Sequence, residues 1–291
     1  MDYILKNNNL TVTISSVGGE ITSVKSAEEI EYLWQADPAY WNEHAPHLFP
    51  YVGRFFDGKY MMDGKECEMG IHGFFRFQEM QMEEQTDTRL VLSFCSNEET
   101  RKEFDRDFKV YLTHELKDST IAISFQVDNQ DSRTLYFGYG GHPGFNVPLT
   151  ENETFEDYYL EFSEECQPAA IGLSATCFLQ GAHTPISLEN DKILSLKHNL
   201  FDNDAIVMRC MANEITLKSR TGSHGVTVSY PQMPYLGLWH KPHTEAPYVC
   251  IEPWVTLPSR QDVIEEFESK MDMVVVAPKK TYTNNWQITI F

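Results

Sequence analysis

The stretch Ile121-Ala122-Ile123-Ser124-Phe125-Gln126-Val127 decides the class of fold. Large apolar side chains stand at every second position, and a β-strand is the backbone that sends such a set to one face. The same alternation recurs in Leu10, Val12 and Ile14 among Thr11, Thr13 and Ser15, and again in Val226, Val228 and Tyr230. Further strands are expected over 89–96, 108–116, 134–140, 158–162, 205–210, 214–218, 248–252, 272–277 and 285–291, many of them rich in Val, Ile, Phe, Tyr or Thr.

Turn chemistry separates these strands. Asn7-Asn8-Asn9 precedes the first clear one, Gly18-Gly19 follows it, and Asp63-Gly64 lies between Tyr60-Met61-Met62 and Lys65-Glu66-Cys67. A two-residue hairpin turn needs φ > 0, which Asp-Gly tolerates. Helix is scarce: Ser96-x-x-Glu99 suggests a capping box opening a helix over about 97–104, and a second short helix is expected near 262–269. Without helical crossovers, consecutive strands pair as hairpins and meanders. The expected fold is therefore all-β, a large antiparallel β-sandwich with few short helices. Strand patterning runs across the midpoint, and no Gly-, Ser- or Pro-rich linker interrupts it, so residues 1–291 read as a single domain.

Composition narrows the partners. Lys+Arg number 23 against 43 Asp+Glu, a net charge of −20, and no run of basic residues offers a local exception. Such a field repels phosphate backbones and anionic headgroups, which makes nucleic acid and membrane surfaces poor partners. The start, Met1-Asp2-Tyr3-Ile4-Leu5-Lys6, lacks the pattern of a secretion signal, and apolar runs such as Met273-Val274-Val275-Val276-Ala277 are far shorter than the ~20 residues of a membrane span. Six cysteines without a C-x-x-C pair read as reduced thiols in apolar surroundings, hence a cytoplasmic location.

Four segments concentrate polar groups among Gly, Pro and aromatics: Leu48–Arg54, Gly70–Arg76, Gly138–Asn146 and Val249–Trp254. Two irregular, aromatic-rich stretches, 38–58 and 231–247, provide long loops of the sort that carry binding residues on a rigid scaffold. Polar groups beside rings suit a ligand that is itself part polar and part apolar, and sugars are of this kind. Trp239, Trp254, Phe74, Phe75 and Tyr139 are candidates for stacking on it, or else core residues. His142, between Gly-Gly and Pro-Gly, reads as an imidazole exposed on a stiff turn; His72 has a similar setting. Glu252 follows the apolar run Tyr248-Val249-Cys250-Ile251, where a buried carboxylate must be functional or paired, for example with Arg54. The histidine spacings His44-x-x-His47 and His240-x-x-His243 lack the carboxylate pattern of a helical zinc motif, and no metal ligand is assigned.

In order along the chain, Val52-Gly53-Arg54, His72-Gly73-Phe74, Gly141-His142-Pro143-Gly144-Phe145-Asn146 and Cys250-Ile251-Glu252-Pro253 resemble the aldose 1-epimerase (galactose mutarotase) family, most closely its LacX-like bacterial branch. The resemblance implies a supersandwich and interconversion of sugar anomers such as those of galactose or glucose, without metal or redox cofactor. It assigns Glu252 as general base and His142 as general acid, with Arg54 and His72 binding sugar. The family's substrate-binding aspartate matches Asp204, with Asp202 two positions away, on the same side if the strand is extended. The stretch His72–Arg76 also resembles the hexose-6-phosphate mutarotase branch, so Arg54, Arg76 and Lys241 form a candidate anion site, and Trp239 a stacking surface. Ring opening needs one proton taken from the C1 hydroxyl and one given to the ring oxygen, which an ionised Glu252 and a protonated His142 would supply. The alternatives are a hexose-6-phosphate mutarotase or a non-catalytic carbohydrate-binding protein.

Overall fold

The computed structural model describes residues 1–291, and two large antiparallel sheets dominate it. The first sheet orders nine strands as Ile193–Ser195, Tyr158–Phe162, Glu214–Ser219, Gly225–Ser229, Thr281–Ile290, Thr120–Asn129, Phe108–Lys117, Arg89–Cys95 and Gln81–Gln85. The second orders Thr184–Pro185, Ala169–Ala170, Ile206–Arg209, Tyr235–Trp239, Tyr248–Trp254, Gly140–Gly141 and His47–Leu48, with Gly144–Asn146 also pairing to Tyr248–Trp254. The all-β sandwich read from the alternation is the observed architecture. No helix is long and apolar enough to cross a membrane.

Thr120–Asn129 is an interior strand of the nine-stranded sheet, next to its central strand, and is paired along its length with Phe108–Lys117 and Thr281–Ile290. Its odd-numbered residues Ile121, Ile123, Phe125 and Val127 are buried, as the period of two requires. The Phe125 ring stacks on Tyr139 at 4.0 Å and packs against Phe49 at 5.7 Å, and both partners belong to segments flanking strands of the second sheet. This aromatic layer couples the sheets within a cluster of 60 buried apolar residues that extends from Leu5 to Ile290. Against it rests a three-stranded sheet of Asp2–Lys6, Leu10–Ser15 and Ile21–Ser26, through buried Leu10, Val12 and Ile14.

The Asp63-Gly64 hairpin joins Lys59–Met62 to Lys65–Glu68, with φ of 50° and 72° at the two turn residues. Several boundaries differ from expectation. The only α-helix is Glu98–Glu103, and its cap is Asn97 rather than Ser96. Asn97 Oδ1 accepts from the Glu99 and Thr100 amides at 2.9 and 3.0 Å, while Ser96 Oγ accepts from the Phe108 amide. The hydroxyl is spent tying the helix to the next strand. Near 262–269 there is no helix: Asp262 sits at φ 61°, and Glu265–Glu266 pairs in parallel with Lys59–Met62, with Arg260 holding the Glu265 carboxylate. The region 134–140 divides, Leu135–Phe137 pairing with Val274–Val276 while Gly140–Gly141 joins the second sheet. The final strand begins at Thr281, four residues before the expected start.

Phe125 is fully buried between the sheets. Phe125→Ala is expected to cost about 3–5 kcal/mol of stability in chemical denaturation, the usual range for emptying an aromatic site in a core; a loss under ~1 kcal/mol would move the coupling of the sheets to other residues.

Candidate active site

Every residue of Tyr248–Trp254 is buried, because the strand has neighbours on both edges and packing on both faces. Alternation then sorts its side chains. Val249 and Ile251 enter the main core, whereas Cys250, Glu252 and Trp254 take the opposite face. Opposite Glu252 in the register is Gly237, where a β-carbon would come within 3.3 Å of the Glu252 side chain and 3.1 Å of Trp254. Glycine at that place leaves room for both.

His142 connects Gly140–Gly141 to Gly144–Asn146, two short strands that both pair with the Glu252 strand. Its amide donates to the Pro46 carbonyl at 3.1 Å, and its Nε2 lies 3.1 Å from Glu252 Oε2. Trp41 stacks on the imidazole, centroids 4.8 Å apart, and Trp239 meets it edge-on. The expected exposed turn histidine is thus a buried one, 8% exposed, because the Gly and Pro residues around it belong to paired backbone rather than to a free turn. Glu252 does not pair with Arg54; the group at hydrogen-bond distance from its carboxyl is the His142 imidazole.

Around this pair is a cavity of about 250 Å³ whose wall includes all seven residues singled out in the sequence: Arg54, His72, Arg76, His142, Asp204, Trp239 and Glu252. The loop positions owe their placement to backbone that few residues tolerate. Gly53 (φ 76°) packs on Pro258, and Gly73 (φ 69°) lies so close to the Phe49 carbonyl that a β-carbon would sit 2.3 Å from its oxygen. His72 between them is itself at φ 64°. Its amide donates to the Gly53 carbonyl at 2.8 Å, and its Nδ1 accepts from the Gly53 amide at 3.0 Å. That bond leaves the ring proton on Nε2, a hydrogen-bond donor.

Asp204 and Asp202 do not share a face, since the chain here is a turn rather than a strand. Asp202 is helical in φ and ψ and pairs with His243 at 3.3 Å outside the cavity, while Asp204, at φ 71°, reaches the wall. Lys241 is absent from the cavity; its Nζ donates to the Ala39 carbonyl at 2.8 Å. Arg76 lines the cavity but is paired with Glu43 at 3.2 Å. Glu20 accepts from the His44 and Ala45 amides at 2.7 and 2.9 Å and so secures the loop that carries Trp41 and Glu43. Of the five aromatic candidates, Trp239 and Trp254 face the cavity, and Phe74, Phe75 and Tyr139 are core.

Trp41, Glu43 and Cys177 line the cavity and were not legible as site residues. The aromatic-rich stretch 38–58 located the first two only to a loop, and the Glu43–Arg76 pairing spans 33 residues. Two donors of the wall, Trp254 Nε1 and Arg76 Nε, are buried with no protein acceptor. Buried donors are ordinarily satisfied by an acceptor.

Burial governs protonation here. It pushes the Glu252 carboxyl well above the usual carboxylate range, with the nearby Asp204 charge adding to the effect. It also pulls His142 down to about 3 and His72 well below its ordinary value. Burial thus disfavours the charged form of both partners and favours a neutral pair over the expected ionised glutamate beside protonated histidine. Burial similarly raises Glu43, against the opposing influence of Arg76. His142, Cys250 and Glu252 are also a possible metal-ligand set, their donor atoms all within 4.8 Å of one another.

The raised Glu252 pKa has a stability consequence. Above the ordinary carboxyl value of 4.5 the unfolded chain loses this proton while the folded chain keeps it, so folding becomes less favourable as pH rises until the folded group also ionises. Glu252→Gln copies the neutral acid and removes this penalty. The variant is expected to match the wild type in denaturant stability near pH 4 and to exceed it progressively toward pH 8, by roughly 1 kcal/mol or more; equal stability across that range would place the carboxyl in its ordinary ionised form.

A family model for aldose 1-epimerase matches residues 1–289. The chain is 36% identical over 300 residues to the chromosomal protein LacX of Lactococcus lactis subsp. lactis, covering 100% of this chain and 99% of that relative. Among solved structures, a galactose mutarotase related enzyme from Lactobacillus acidophilus superposes with a TM-score of 0.94 at 33% identity, covering 100% of this chain and 97% of the other. A galactose mutarotase-like protein from Lactobacillus casei does so with a TM-score of 0.93 at 26% identity, with both chains fully covered.

Proposed function

The chain belongs to the aldose 1-epimerase family, a carbohydrate epimerase family, and on that premise we propose that it interconverts the α and β anomers of a free hexose such as galactose or glucose. The observation that carries this reading is the 3.1 Å contact between Glu252 and His142 on the wall of a cavity that combines hydrogen-bonding groups and tryptophan with aliphatic residues such as Ile71, Leu173 and Val207.

Mutarotation opens the hemiacetal ring, rotates the C1–C2 bond and closes the ring on the other face. It requires one group able to accept a proton and one able to give it, and the buried pair holds one proton and one vacancy in either arrangement. Transfer of the shared proton from Glu252 to His142 generates carboxylate and imidazolium. Burial makes each stronger in its role: a carboxylate whose acid form is favoured is a better base, and an imidazolium that sheds its proton readily is a better acid. Glu252 takes the C1 hydroxyl proton as His142 protonates the ring oxygen, and the two exchange roles on closure. A sugar enters by separating the pair, so that its anomeric end replaces their direct contact.

The remaining wall residues bind and orient. Neutral His72 donates through Nε2, Asp204 accepts from hydroxyls, Arg54 donates, and Trp239 offers its face to the sugar's C–H groups. Arg76 is matched by Glu43, leaving Arg54 as the cavity's one cation without a carboxylate partner, which favours a neutral sugar over a hexose 6-phosphate. We further propose that residues 1–291 work as one unit in the cytoplasm, a reading supported by the continuous core and six free cysteines.

Polarimetry of freshly dissolved α-galactose and α-glucose tests this function. The protein is expected to speed relaxation, and Glu252→Gln to lower the rate by ~10² or more with sugar binding largely kept. Binding without acceleration by the wild type would identify a lectin-like protein instead. Wild-type rates on neutral hexoses are expected to exceed those on hexose 6-phosphates, and the reverse order would transfer the substrate assignment to the phosphorylated sugar.

A further inference from the structure

Cys250 takes no part in the acid–base chemistry, yet it lies two residues from Glu252 on the same strand face and is fully buried. Its sulfur, a His142 ring nitrogen and a Glu252 carboxylate oxygen are mutually within 4.8 Å. Tetrahedral zinc, with bonds of about 2.0–2.3 Å to such donors, sets neighbouring ligand atoms roughly 3.3–3.8 Å apart. The His142–Glu252 separation of 3.1 Å is already near this, and the thiol needs a shift of about 1 Å at most.

We propose that these three residues form a binding site for a soft divalent cation, zinc foremost, and that its occupancy switches the acid–base pair off. The donor set is selective: thiolate and imidazole prefer zinc, cobalt or cadmium to magnesium and calcium. Charge also balances. Binding releases the thiol proton and the carboxyl proton, and the two anionic donors then match the +2 ion in a place that tolerates no unpaired charge. His142 and Glu252 line the cavity, from which water would come as fourth ligand. With the lone pairs of Glu252 and His142 committed to metal, neither can exchange a proton with a sugar. Inhibition, as distinct from binding, rests on the function proposed above.

The test uses the full chain and cobalt as a spectroscopic probe. One equivalent of Co²⁺ at neutral pH is expected to produce the near-ultraviolet thiolate-to-cobalt charge-transfer band, and zinc to displace it stoichiometrically. Cys250→Ala should abolish the band and weaken zinc binding at least ~10-fold, while Cys177→Ala, which removes the cysteine lining the cavity, should keep both. Absence of a thiolate band in the wild type, or its survival in Cys250→Ala, overturns the proposal. If circular dichroism shows Cys250→Ala unfolded, Glu252→Gln supplies the decision: zinc affinity must fall at least ~10-fold, and undiminished affinity overturns the site. In polarimetry, stoichiometric zinc should slow mutarotation and EDTA restore it. A protein that binds cobalt through Cys250 but never accelerates mutarotation refutes the function and keeps the site; one that is active and lacks the band refutes the site alone.

Discussion

A carboxyl group in the middle of a strand buried on both faces is the constraint around which this molecule is arranged. Leaving Glu252 charged and unpaired there would cost several kcal/mol, and the surroundings answer in two ways. Burial favours the protonated form of the group, and the His142 imidazole lies at hydrogen-bond distance from it. The same low-dielectric setting that makes the charged forms expensive makes them reactive once formed. Under the proposed mechanism, stability and chemistry pull in opposite directions at this residue.

Rigidity comes from the sheets and shape from the loops. Glu252 and His142 both hang on backbone belonging to one set of paired strands, so their separation is fixed by the register of the second sheet. The loops that complete the wall are laced to each other rather than free: Gly53 and His72 exchange hydrogen bonds, Ser259 donates to the Arg54 carbonyl, and Glu20 ties the segment behind Trp41. His72 and Asp204 reach the cavity from left-handed backbone, and Gly53 and Gly73, also left-handed, flank Arg54 and His72 in the wall.

Local charge departs from the global balance. A chain of net −20 repels anions at a distance, yet the cavity contains two arginines. One of them is matched by Glu43, so the wall offers a pattern of donors and acceptors rather than a strong positive field. Such a surface suits the neutral sugar proposed above.

The sequence by itself determined the all-β class, because a period of two in side-chain polarity admits no other regular backbone, and Asp63-Gly64 as a hairpin, because its dihedral needs are local. It also marked out Arg54, His72, His142, Asp204 and Glu252 as chemically unusual residues in glycine- and proline-rich surroundings, with family motifs supplying their order. Tertiary structure decided what depends on long-range pairing and desolvation. It separated Asp204 from Asp202 by folding a turn, matched Arg76 with Glu43, sent Tyr139 to the core and Trp41 to the imidazole, and shifted Glu252 and His142 toward their neutral forms. No window of sequence carries those outcomes, since burial and charge neighbours are set by distant segments, such as those holding His142 and Glu252.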